Sequence, residues 1–89
     1  MDFIWDDANL EHIAEHGVTP TEAEAAIYNE PLYLFTRLAD GESRDTFIGI
    51  TDESRYLTVV TTDRLDDIRV VTAFDATPKR IRMYTEWSR

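Results

Sequence analysis

The sequence contains no cysteine, which excludes a disulfide-braced scaffold and a cysteine-bound zinc and fits a reducing cytoplasm. No apolar run approaches the roughly 18–20 residues of a membrane-spanning helix. The first residues also lack the basic-then-apolar layout of a secretory leader, so a soluble cytoplasmic protein without a membrane partner is expected. Positive charge is scarce: nine Lys and Arg stand against eighteen Asp and Glu, for a net charge of -9, and nothing before Arg37 is basic. That balance counts against a free nucleic-acid binder, because a protein that grips phosphates usually carries a positive field. The charge is, however, unevenly spread. Residues 1–36 carry only acids, whereas Lys79, Arg80, Arg82 and Arg89 make the closing segment basic. An acidic face suits a basic partner, and a small basic face meets RNA locally.

What is present reads as one domain over residues 1–89, small enough that a partner or a dimer would add useful stability. The 43% hydrophobic content, with two Trp, four Tyr and four Phe, belongs to a globular chain. Its most distinctive stretch is the opening. Asp6 is a good N-cap, Trp5 and Leu10 have the spacing of a hydrophobic staple, and Leu10, Ile13 and Ala14 make an apolar stripe that Gly17 ends, so a first helix is expected over Asp7–His16. Thr19-Pro20-Thr21-Glu22 is a capping box with Pro at the first helical position, and Asn29-Glu30-Pro31 stops that second helix near Asn29. The period then changes. Leu32–Arg37, Asp45–Thr51, Tyr56–Thr62 and Ile68–Ala73 are rich in β-branched and aromatic residues and separated by short polar turns, which predicts an antiparallel meander. Met1–Trp5 reads as an edge strand or an extended lead-in. Thr77-Pro78 opens a last helix whose Ile81, Tyr84, Met83 and Trp87 give it an apolar side. The expected class is α+β: an N-terminal helix pair, an antiparallel sheet of about four strands, and a C-terminal helix.

The pattern F-x-W-D, an Asn in the first turn, and H-G-V followed by T-x-x-E resembles the BrnT-like ribonuclease toxins of bacterial type II toxin–antitoxin systems. The strand Ile68–Ala73 and the closing Ala76-Thr77-Pro78-Lys79-Arg80-Ile81-Arg82-Met83-Tyr84 extend the likeness over nearly the whole chain. The resemblance implies a RelE/BrnT-like fold that cuts RNA, an antitoxin protein that covers the active face, and contact with DNA only indirectly, through that antitoxin. Two departures stand out. Where the family usually reads S-A-R, this chain reads Thr72-Ala73-Phe74, and the basic residue that many members carry on the first helix is missing.

His12-Ile13-Ala14-Glu15-His16 matches H-x-x-E-H, in which two histidines share a helix face and reach one zinc. A catalytic zinc needs a third protein ligand, and His16 beside Gly17 is favoured simply by the free carbonyls of a helix end. The Asp6-Asp7, Asp52-Glu53 and Asp66-Asp67 pairs sit at caps and turns, where carboxylates serve local backbone hydrogen bonds. Neither a metal nor another cofactor is expected.

Ribonuclease chemistry needs groups that hold phosphate, take the ribose 2′-OH proton and protonate the leaving oxygen. The candidate catalytic residues are His16, Arg55, Arg69, Arg80 and Tyr84, with His12 as the other imidazole; the resemblance matches Arg80 and Tyr84 to the family's closing motif. The candidate RNA-binding residues are Arg37, Arg44 and Lys79. A rival reading keeps the scaffold and gives up the nuclease, leaving an acidic binding protein for a basic partner. Charge geometry separates the two: Arg55, Arg69, Lys79 and Arg80 converging on one concave face favour the nuclease, and acids interspersed among them favour the binder.

Overall fold

The three helix starts are set by side chains that satisfy the free N–H groups of a first turn. The computed structural model describes residues 2–89. Helix α1 spans Asp7–Glu15: the Asp6 carboxylate accepts from the Asn9 N–H at 3.1 Å, and the Asn9 side-chain oxygen accepts from the Asp6 N–H at 2.8 Å. Helix α2 spans Pro20–Tyr28 and repeats the device with Thr19 and Glu22. Helix α3 spans Pro78–Trp87, capped by the Thr77 hydroxyl. Gly17, at φ +66°, turns the chain out of α1 in the left-handed conformation that suits glycine.

The strands are β1 (Phe3–Ile4), β2 (Leu32–Ala39), β3 (Glu42–Ile50), β4 (Tyr56–Arg64) and β5 (Asp67–Asp75). They form one sheet in the order β1-β5-β4-β3-β2. The expected antiparallel meander is β2 to β5. A fifth strand is added by the lead-in, which pairs parallel to β5 at Ile68 and Arg69. The meander strands also run further than their apolar letters suggest. Asp40 and Gly41 both take positive φ and form a two-residue turn, so Glu42, Ser43 and Arg44 belong to β3 and not to a loop. Leu65, at φ +57°, closes the β4–β5 hairpin as tightly.

Alternation along the strands divides the core in two. Leu57, Val59, Val70 and Ala73 point to one face, Val70 and Ala73 together because a bulge at Val71 shifts the β4–β5 pairing, and there they bury Ile13 and Val18 from α1 and its exit and Ala23 and Ala26 from α2. On the other face Ile48 packs with Ala76 and Tyr84, flanked by Leu32, Tyr56 and Ile81. Helices therefore cover both faces, the pair on one and α3 on part of the other. The expected stripe on α1 is corrected by the packing. Its buried residues are Asn9 and Ile13, while Leu10 is 36% exposed and Ala14 is exposed. Asn9 is wholly buried because every polar atom is used: its amide donates to the carbonyls of Ile4 and Val70 at 2.9 Å each, fastening β1 to β5. Trp5 packs on the helical core and donates to Glu24 at 2.8 Å. Gly49 of β3 lies directly under α2. A Cβ there would stand 2.2 Å from the Ala26 carbonyl oxygen.

Candidate functional site

The part of the second face that α3 leaves uncovered is a cleft of about 350 Å³. Residues opposite one another in the ladder share a face, and the register sets Phe35 against Thr46, Arg37 against Arg44, Thr46 against Val60, and Thr58 against Phe74. Thr46, Thr58 and Val60 form the floor. Arg37 and Arg44 stand on one side, and Arg80, from the first turn of α3, stands on the other. A β-bulge makes this arrangement possible. Between Tyr33 and Phe35 the pairing shifts by one residue, with Leu34 the extra one, so Leu32 and Phe35 both face α3 and the cleft although they are three apart. A second, shallower hollow of about 680 Å³ continues along α3 and shares Phe35, Phe74 and Arg80 with the first, adding Lys79.

The charges of the cleft are unevenly engaged. Arg44 is tied to Glu42 at 3.1 Å and lies 3.8 Å from Asp40, and Glu42 also pairs with Arg64 at 3.0 Å. Hydrogen bonds from Arg44 and then Arg64 hold the Glu42 carboxyl below its ordinary pKa of 4.5. Arg80 donates to the Thr58 hydroxyl at 3.3 Å. Arg37 lies over the Phe35 ring, its guanidinium carbon 4.8 Å from the centroid. Among the described residues no carboxylate lies within ion-pair distance of Arg37, Lys79 or Arg80. Arg37 and Arg80 thus line the cleft, and Lys79 the hollow that adjoins it, without carboxylate partners in a strongly acidic molecule.

Of the residues singled out in the sequence, the structure brings Arg37, Arg44, Lys79 and Arg80 together. It places the other four elsewhere. Arg55 bridges Asp75 at 2.8 Å and Glu22 at 3.1 Å, and donates to the carbonyl of Gly17 at 2.9 Å, so it locks the α1–α2 turn to the sheet. These hydrogen bonds, Asp75 first, raise its pKa, and the Glu22 carboxyl is lowered, first by the Thr19 backbone N–H and then by Arg55. Arg69 grips both oxygens of Asp6 at 3.1 Å and so braces the cap of α1. The hydroxyl of Tyr84 donates to the carbonyls of Asn29 and Glu30 at 3.3 Å each, its ring is buried against Tyr56 and Trp87, and burial pushes its pKa up. Arg55 and Arg69 therefore do not join Lys79 and Arg80, and acids intersperse around Arg55, Arg69 and the cleft's own Arg44 but not around Lys79 and Arg80. His16 packs its ring on Phe74, with centroids 5.6 Å apart, and touches the cleft only through that residue. His12 is exposed on α1. Among the described residues no three His, Cys, Asp or Glu side chains are grouped to hold a metal ion, and no helix is long and apolar enough to cross a membrane.

Sequence reasoning missed Phe35, Thr46, Thr58 and Val60 as site residues. The alternation of Leu57 and Val59 with Thr58 and Val60 was the available signal, since it gives β4 a second, mixed face. The bulge that aims Phe35 has no comparable signature.

The sequence model of one protein family, described as "Ribonuclease toxin, BrnT, of type II toxin-antitoxin system", matches residues 5–80. No curated protein matches the chain.

Proposed function

The chain belongs to the BrnT family of ribonuclease toxins of type II toxin–antitoxin systems, and from that premise we propose that it cleaves RNA in the cleft beside α3 and arrests growth until an antitoxin binds it. The observation that carries this reading is the placing of Arg37, Arg80 and Lys79 along two adjoining hollows without carboxylate partners, in a protein of net charge -9. Cations so placed hold a phosphodiester and stabilise the extra negative charge that builds on phosphorus in the transition state. In that reaction the ribose 2′ oxygen bonds to phosphorus and loses its proton, the bond to the 5′ oxygen breaks, and that oxygen gains a proton. The products are a 2′,3′-cyclic phosphate and a free 5′-hydroxyl. The guanidinium of Arg80, steadied by Thr58, faces the phosphate. His16 packs its ring on Phe74 outside both hollows and so supports the cleft wall. Arg55, Arg69 and Tyr84 act through the fold: they hold the α1–α2 turn, the α1 cap and α3 in place.

One observation favours the rival reading in part. The exposed side of α1 carries Asp7, Glu11 and Glu15, with no Lys or Arg among the first 36 residues. That surface suits a basic protein, and in this proposal it receives the antitoxin.

The test is induced expression of the wild-type chain beside an Arg37→Ala, Arg80→Ala double variant, with RNA integrity followed and the purified protein given end-labelled RNA. Growth arrest, RNA ending in cyclic phosphate, and a roughly hundred-fold or greater fall in cleavage for the variant are expected. Co-expression of the antitoxin should relieve the arrest. Normal growth and intact RNA with soluble wild-type protein would leave only the binding reading.

A further inference from the structure

Resting on that reading, we propose that Phe35 and Phe74 give the cleft a stacking slot for unpaired nucleobases, so that it takes single-stranded RNA. Both rings are half-buried and line both hollows, together with Arg80. The junction of the two hollows is therefore aromatic on its walls and cationic at its edge, the combination that single-stranded nucleic acid uses. Its volume of about 350 Å³ falls in the range of small-ligand sites. Arg37 beside Phe35 and Arg80 on the α3 side place a cation within reach of the phosphate of a base seated between them. The floor is closed by the buried Thr46 and Thr58, and the Thr58 hydroxyl accepts from Arg80, which fixes that guanidinium at the cleft.

Phe74 is braced for such a role. The His16 ring leans on it at an interplanar angle of 55°. Beyond Ile68 and Arg69, β5 has no strand on its outer side because β1 ends at Ile4, so Phe74 stands on an open edge. The departure of this chain from the S-A-R pattern then has a chemical meaning. A side chain that would hold a phosphate, blind to sequence, is replaced by one that stacks on a base. A duplex cannot use the slot, because its bases are stacked on one another and the major groove of an RNA helix is too deep and narrow to admit side chains.

The test uses the full chain. Nuclear magnetic resonance titrations with the four ribonucleoside monophosphates should shift the ring signals of Phe35 and Phe74 upfield, while ribose 5-phosphate and inorganic phosphate should move only the arginine side-chain signals. Fluorescence binding should show a short single-stranded RNA held at least ten-fold tighter than the same sequence as a duplex. Phe74→Leu should weaken single-strand binding by roughly ten-fold with the salt dependence unchanged, and Phe74→Trp should restore it. Ring signals that respond to phosphate alone, or equal binding of duplex and single strand, would overturn the slot. So would RNA cleavage by Phe74→Leu with single-strand binding equal to wild type, and that result would leave the ribonuclease standing. Nucleotide-induced ring shifts in a wild-type protein that cuts no RNA would do the reverse, supporting the slot and sinking the nuclease.

Discussion

Replacing Gly49 by alanine sets two physical effects against each other. Gly49 sits inside β3, and its φ is not in the left-handed region. Backbone entropy alone therefore favours alanine, by about 0.5–1 kcal/mol. Packing has the opposite sign. An added Cβ would meet the Ala26 carbonyl oxygen at 2.2 Å, its carbon at 2.8 Å and its Cα at 3.0 Å, where ordinary contact begins at 3.4 Å. All three are helix backbone atoms with no rotamer to change, so α2 has to withdraw by about 1 Å as a body. That withdrawal loosens Ala23 and Ala26, both fully buried, from Leu57 and Val59 beneath them. Overpacking, backbone shift included, costs about 1–3 kcal/mol, and the 2.2 Å approach to immovable backbone puts this site at the upper end, so a net loss of about 2 kcal/mol is expected after the entropic gain. For a domain of this size each kcal/mol moves Tm by about 4–8 °C, which puts the variant about 8–16 °C below wild type. Calorimetry and urea unfolding measure it directly. A Tm equal to or above that of wild type would show that entropy wins and that α2 does not rest on β3 as described.

The arginines should sort by position. Arg55→Met should lower stability by about 1–3 kcal/mol, since it leaves Glu22 and the Gly17 carbonyl short of a partner, while RNA affinity changes little. Arg80→Met should do the opposite, and the salt slope of single-strand binding should fall by about 0.7 for each cleft cation removed; parallel losses in both variants would refute the division. Asn9→Ala removes three buried hydrogen bonds, strands the Val70 carbonyl, and should cost about 2–4 kcal/mol by urea unfolding. Asp6 and Glu22 have pKa values lowered from 3.8 and 4.5, Asp6 first by the Asn9 N–H and Glu22 first by the Thr19 N–H. Their contribution is present in full above the ordinary carboxylate range and is lost as pH falls below about 4. An Asp6→Asn, Glu22→Gln protein should therefore show a flatter fall in urea midpoint below that pH, and an identical profile would remove these two groups from the acid transition.

The helix starts were legible because a cap is a local device: Asp6, Thr19 and Thr77 each satisfy amides within three residues of themselves. The meander was legible from β-branched runs, and its length was not, because Glu42, Ser43, Asp63 and Arg64 are strand residues with turn-like letters held by a two-residue hairpin. In α1 the polar Asn9 takes the buried place that periodicity assigns to the apolar Leu10, a choice made by the carbonyls of β1 and β5, which are distant in sequence. The site was half visible. Residue type could nominate Arg37, Arg44, Lys79 and Arg80, but it nominated Arg55 and Arg69 equally. Only the three-dimensional partners, Glu22 and Asp75 for one and Asp6 for the other, distinguish a strut from a free cation.

The bulge at Leu34 has a consequence outside the cleft. Strand β2 is the end of the sheet, with a full length of backbone donors and acceptors on its outer side. A regular edge of that length, carrying Tyr33 and Leu38 in the open, would be a template for adding strands from other molecules, and chains would polymerise edge to edge. The extra residue breaks the ladder's repeat and twists the strand where a neighbour would have to begin pairing. Deleting Leu34 would therefore straighten β2 while leaving Phe35 opposite Thr46 and facing the cleft, and it would cost the protein its solubility at the concentrations where strands meet.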